Sequence, residues 1–196
     1  MKKIILFFTF LIIGSALISK NVLLNKTNSS KEVRITFIRC NDFSLKYMKD
    51  VQNQLEKYLY NEFGLIAVID FDEKSEILNS KKRFKAVDVI KYFDNYKFPL
   101  TIIFIPDDIE YNKKGILGLS IHPGNTCVVS SFRVKNPKNL WKITAHEFIH
   151  TYFDYSHCPN DNPKCLMKDA KGHVYFNNKN TICNKCKINL LTKINF

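Results

Sequence analysis

HEFIHTYFDYSHC, residues His146 to Cys158, carries two histidines four apart and a third one shortly after the helical pattern breaks. Side chains at i and i+4 of a helix stand one turn apart on one face, so His146 and His150 present both imidazoles to the same point. Two ring nitrogens placed in this way can grip one metal ion, and zinc suits them. Glu147, between them, can reach a water at that ion and act as general base on it. The helix also has a readable start. Asn136 followed by Pro137 supplies a cap and a first-turn residue, and Leu140, Trp141, Ile143 and Ala145 carry the apolar pattern into the histidines.

Upstream of this helix, strands and helices alternate. VRITFIRC, from Val33, alternates apolar and polar residues and is rich in β-branched side chains, which predicts a strand. From Leu45 to Phe63 the period changes: Met48, Val51, Leu55, Leu59 and Phe63 recur at three and four, Asp42 or Ser44 offers an N-cap, and Gly64 stops the helix. LIAVIDF then reads as a short apolar strand of the buried type, and a second helix carries Phe84, Val87, Ile90 and Phe93 on one face. PLTIIFIP predicts another buried strand. GILGLSIHPGNTCVVSSFRV predicts two strands, Gly115 to Ile121 and Thr126 to Val134, joined at Pro123, Gly124 and Asn125. The expected fold class is α/β, a mixed twisted sheet with packed helices. After Asp154 the chain is rich in Asn, Asp, Pro, Lys and Cys, with little periodicity before INLL. Something other than a large core is expected to hold it.

The 196 residues, 45% of them apolar, suffice for one domain with its own core. The net charge of +12 is spread over most segments, without the basic blocks interleaved with aromatic residues that a nucleic-acid surface needs. No nucleic-acid partner is expected. The first stretch has two lysines, an apolar run from Ile4 to Ile13 broken by Thr9, and small residues Gly14, Ser15 and Ala16, so residues 1–19 read as a signal peptide or an N-terminal anchor. Residues 20–32 read as a polar linker and 33–196 as the folded domain. The domain is therefore expected outside the cytoplasm (secreted, periplasmic or at the cell surface), attached to a membrane only through its N-terminal segment, and monomeric.

Six cysteines in an exported chain first suggest disulfides, but CNKC at Cys183 to Cys186 is a spacing used by zinc knuckles and by redox pairs. Cys40 and Cys127 lie at or in predicted strands and read as small buried hydrophobes.

Taken together, HEFIHTYFDYSHC, CLM at Cys165 to Met167, CNKC, and the strand pair upstream resemble the archaemetzincins, metzincin-type zinc metallopeptidases with the pattern HExxHxxGxxHC, Cys-x-Met and CxxC. The resemblance covers most of residues 83–187. It implies a metzincin-like fold with an active-site helix and a C-terminal loop-rich, zinc-bound subdomain. It makes His146, His150 and His157 the ligands of a catalytic zinc, Glu147 the general base and Met167 the Met-turn residue. Cys158, Cys165, Cys183 and Cys186 become the ligands of a second, structural zinc. It also implies hydrolysis of peptide or protein substrates by zinc-activated water, with an extended substrate added to the edge strand Gly115 to Ile121. The rival expectations are a zinc-stabilised peptide-binding module without catalysis and, for the cysteines, two disulfides or a redox pair. The chain departs from the family pattern at three points: Phe153 stands where the family has glycine, one extra residue precedes His157, and the Cys158 to Cys165 loop is longer. Asp154 tolerates a left-handed backbone better than Phe153 does, so the added residue and the lost glycine are expected to compensate in a wider turn. His122 reads as a turn residue and His173 as part of a polar loop. Tyr152 and Tyr155 lie near the motif, but neither is picked as an oxyanion stabiliser.

Overall fold

In the computed structural model the described residues are 30–76, 83–93, 100–121, 123–170 and 178–194. The expected leader and most of the linker lie outside them, as do His122 and His173.

Strand β1 (Lys31–Cys40) starts two residues before the predicted Val33, because its first two positions pair through the main chain while their side chains stay exposed. It leads into helix α1 (Leu45–Phe63). Ser44 caps this helix by accepting the amide of Tyr47, and Gly64 ends it at φ 66°, with its own N–H on the carbonyls of Leu59 and Tyr60. Met48, Val51, Leu55, Leu59 and Phe63 are all buried on one face, as their spacing predicts.

Strand β2 (Leu65–Glu76) is longer than LIAVIDF and is not of the buried type. It forms the outer edge of the sheet, beyond β1, so its side chains alternate: Leu65 and Ile69 are buried while Ile66 is 44% exposed. An apolar run alone does not distinguish a central strand from an edge strand. Strand β3 (Phe84–Lys85) takes Phe84 out of the second helix, α2 (Ala86–Phe93), whose buried face is Ala86, Val89, Ile90 and Phe93 rather than Phe84, Val87, Ile90 and Phe93. Phe84 pairs with Ile109, and this ladder outweighs the helical spacing.

Strand β4 (Thr101–Ile105) is buried throughout. The predicted strand Gly115 to Ile121 is split in two. Strands β5 (Ile109–Tyr111) and β6 (Lys114–Ile116) form a hairpin around Asn112 and Lys113, both at positive φ, and add to β3 in a small sheet. The chain then crosses at Leu117 into β7 (Gly118–Ser120) in the main sheet. Strand β8 (Thr126–Ser130) ends four residues short of the predicted Val134, where a turn closes between Ser131 and Val134. A single 3-10 turn at Pro137–Asn139, capped by the Asn136 side chain on the Lys138 amide, feeds helix α3 (Leu140–Phe153).

The main sheet runs β2-β1-β4-β8-β7, parallel through the first four strands, with β7 antiparallel at the edge. One face carries α1 and α3, with Phe37, Leu55, Phe104 and Phe148 in the shared core; the other carries α2 against Ile38, Ile103 and Val128. The C-terminal third belongs to the same compact unit as the sheet. Lys31 to Phe196 form one compact unit, and helix α4 (Asn184–Ile194) buries Leu190 and Cys186 in the core shared with α1 and α3. With only two buried residues, α4 is too weakly amphipathic to stand out in the sequence. No helix of the described residues is long and apolar enough to cross a membrane.

Candidate functional site

Helix α3 is buried on nearly every side and so is fixed by the core all round, a rigid support for the side chains it presents at the cleft. His146 and His150 project from it with their Nε2 atoms 3.0 Å apart. Each ring is held from behind. The His146 Nδ1–H donates to the Leu166 carbonyl at 2.8 Å, and the His150 Nδ1–H donates to the Tyr155 carbonyl in a short bond. A carbonyl only accepts, so each neutral ring carries its proton on Nδ1 and turns the Nε2 lone pair inwards. Burial, and then the neighbouring His150, hold His146 well below the usual histidine range, which keeps it neutral and able to ligate. Two lone pairs facing each other at this distance repel unless a cation lies between them.

His157 arrives from the turn after the helix, and its ring centre lies 4.7 Å from that of His150 and 5.3 Å from that of His146. One nitrogen from each of the three rings lies within 4.8 Å of the other two. The turn that brings His157 back falls on Asp154, at φ 46° and ψ 53°, while Phe153 stays helical and buries its ring against Phe63. The family glycine's place is thus taken by a core aromatic, and the left-handed residue moves one position along. The sequence does not reveal what steadies this turn. Lys193, on α4, donates to the carbonyls of both Phe153 (2.7 Å) and Asp154 (2.8 Å), capping α3 from another helix.

Glu147 lies beside strand β7. The Ser120 hydroxyl donates to its Oε2 at 2.8 Å, and a Cβ placed on Gly118 would come within 2.7 Å of Glu147 Cγ and Oε1, so only glycine lets the carboxylate lie this close to the strand. Burial pushes the Glu147 carboxyl up to about 7, and the Ser120 bond pulls it the other way. The three histidines, Glu147, β7 and Tyr155 line an open cleft of about 420 Å³. Tyr152 does not line it and instead stacks on Phe148. Tyr155 does, but its hydroxyl is turned to Asn189 at 3.5 Å.

The four C-terminal cysteines form a second cluster. The sulfurs of Cys158 and Cys183 are 3.7 Å apart, those of Cys165 and Cys186 3.8 Å, and those of Cys183 and Cys186 3.5 Å. A disulfide needs about 2.05 Å, whereas four sulfurs around zinc at about 2.3 Å stand about 3.8 Å apart. All four are free thiols. The Cys183 amide donates to the Cys165 sulfur, and although burial raises the Cys158 thiol, amides of Asn162 and Asn160 bring it down to about 7. Both contacts favour thiolates, whereas burial holds the Cys165 and Cys186 thiols above the usual value. The donor set and the spacing fit zinc, and none of these sulfur pairs stands at disulfide distance. Cys40 and Cys127 are fully buried away from this cluster.

Met167 is fully buried in a turn closed by the Lys168 amide on the Cys165 carbonyl, and its own carbonyl accepts the Cys158 amide. This turn joins the two clusters, since Cys165 supplies a thiol and Leu166, next to it, supplies the carbonyl behind His146.

Against solved structures, the chain is similar to archaemetzincin from Methanopyrus kandleri over 88% of its length and 99% of that protein, with a TM-score of 0.69 at 15% identity. The fold is metzincin-like. Metalloproteinase-II from Bacteroides fragilis is similar over 86% of this chain and 55% of its own, with a TM-score of 0.59 at 12% identity. No protein-family model matches the chain, and no curated protein does. At such identities the likeness is one of fold, and the two clusters stand on their own geometry.

Proposed function

We propose that the protein is a zinc-dependent peptidase working outside the cytoplasm. The observation that carries this reading is the pair of Nδ1–H bonds that turn the His146 and His150 lone pairs toward one point, with the Glu147 carboxylate buried beside them. His146, His150 and His157 would hold the reactive zinc, and Cys158, Cys165, Cys183 and Cys186 a structural one. Three protein ligands leave one position open, and zinc there supplies Lewis acidity toward a carbonyl and lowers the pKa of water.

The chain's own residues do the rest. Glu147 takes a proton from the attacking water and passes it to the departing amine. Strand β7, at the edge of the main sheet and along the cleft, pairs by its main chain with an extended peptide, so peptide length matters more to binding than side-chain identity. His157, the exposed member of the three, would complete the ligand set from the turn after α3.

The test is a fluorogenic peptide library with protein beginning near Lys20, beside Glu147→Ala. Cleavage by the native chain, lost in the variant while two zincs per chain remain, supports the reading. Activity unaffected by Glu147→Ala would sink the mechanism, and peptide binding without cleavage would make the protein a binding module.

A further inference from the structure

We infer that Ser120 is the positioning residue for Glu147, setting which carboxylate oxygen faces the reacting water; this rests on the peptidase reading above. Glutamate has three rotatable bonds, and a general base must hold its geometry closely for the proton transfer to be fast. What holds this one is the inward face of β7. Gly118 and Ser120, two apart in a strand, point to the same side of the sheet. Gly118 leaves room for the Glu147 side chain, and Ser120 binds its far oxygen, Oε2, at 2.8 Å.

The Ser120 hydroxyl has one proton and two acceptors in reach, Oε2 at 2.8 Å and the Glu147 carbonyl at 3.1 Å. Thr151, one turn along α3, settles the choice. Its hydroxyl donates to that same carbonyl at 2.8 Å and lies 3.2 Å from the Ser120 oxygen. With the carbonyl already served, the Ser120 proton goes to the carboxylate, the stronger, charge-assisted acceptor. Oε2 is thereby tied to the sheet and Oε1 is the oxygen left to take the proton.

Ser120 sits on the strand to which the substrate would add, but its hydroxyl faces α3, away from the free edge. Its loss therefore slows the chemical step without weakening peptide binding. A residue that merely held the strand in place would alter both.

The experiment compares native protein, Ser120→Ala, Ser120→Thr, Glu147→Gln and the Ser120→Ala/Glu147→Gln pair, all zinc-loaded. Acetohydroxamate affinity is measured beside turnover, since on the peptidase reading Glu147 would accept its hydroxyl proton as it does that of water. Ser120→Ala is expected to lower kcat about tenfold or more with KM within about twofold, and to weaken acetohydroxamate about fivefold. Ser120→Thr, which keeps the hydroxyl, is expected to restore most of both. In the Glu147→Gln background the alanine should cost nothing further, because the group it positions is gone. An unchanged kcat and hydroxamate affinity in Ser120→Ala, a threonine that rescues neither, or an equal loss in both backgrounds would overturn the assignment. Should native protein neither cut peptides nor bind acetohydroxamate, the peptidase reading fails and takes this inference with it; should it do both while Ser120→Ala is indistinguishable, the inference fails alone.

Discussion

The two candidate metal clusters share a stretch of chain yet are built on opposite plans. The cysteine cluster has four donors from three separate segments, sulfur spacings close to a full tetrahedron, and three of its four residues buried. The histidine cluster has three donors, two on a rigid helix and one on a turn, and it opens onto a cleft. A closed set with every position filled suits an ion that holds structure, and an open set suits one that meets a substrate. The difference also shows which depends on which. His157 and Cys158 are neighbours, as are Cys165 and Leu166, whose carbonyl orients His146. The histidine cluster leans on the cysteine cluster.

Removing a cysteine should therefore cost the most. Cys165→Ser or Cys186→Ser is expected to lose both zincs and the cooperative melting transition, because the free energy of binding a structural zinc is folding free energy, about 10 kcal/mol or more. Elemental mass spectrometry with a thermal melt checks it; a variant that keeps histidine-site zinc would show the two clusters to be independent. His150→Ala should have the opposite profile, with one zinc gone, peptidase activity lost and a melt retained through the cysteine cluster.

A smaller effect is expected at Lys193. Lys193→Met removes the donor from the Phe153 and Asp154 carbonyls, loosening the turn that carries His157. About 1 kcal/mol of stability should go, together with a faster loss of histidine-site zinc to a chelator, while the cysteine-site zinc leaves at its native rate. Equal release from both sites would mean the cap serves the whole fold rather than the turn.

Away from both clusters, the small sheet is tied by Asp108, buried between Arg133 and Arg83 at 2.7 Å each. Burial alone raises its carboxyl, and the hydrogen bonds and charges of the two arginines more than offset this, so it lies below the usual value. A group whose folded pKa is depressed adds stability above the unfolded value and loses it as pH falls through the folded one. Asp108→Asn should thus lower the urea midpoint near neutral pH, by about 2 kcal/mol in stability. The gap to the native chain should shrink as pH drops below the ordinary aspartate range. Constancy of that gap down to low pH would refute the pairing. This separates acid loss through the ion network from acid loss through the histidine and cysteine clusters.

The two candidate clusters were legible because metal chemistry constrains residue type and spacing together, as in the His146 and His150 pair. Helix α1 was legible through its period and its caps. What stayed hidden depends on partners distant in sequence or on main-chain atoms, which any residue supplies. The carbonyls of Leu166 and Tyr155 carry no signature. Ser120 is one hydroxyl in an apolar strand, and its partner is 27 residues away. Likewise, the edge position of β2 and the crossing at Leu117 follow from which strands pair, which periodicity does not report. The left-handed turn was visible in Asp154, but its support from Lys193, 40 residues from Phe153, was not.

That support from α4 bears on the order in which the molecule can be assembled. Cys183, Cys186 and Lys193 emerge from the ribosome only after the sheet, α3 and the three histidines of the cluster have been made. Until that helix docks, the turn bearing His157 lacks its cap and the cysteine cluster lacks half its thiols, so a growing chain carries the parts of the cleft without the finished cleft.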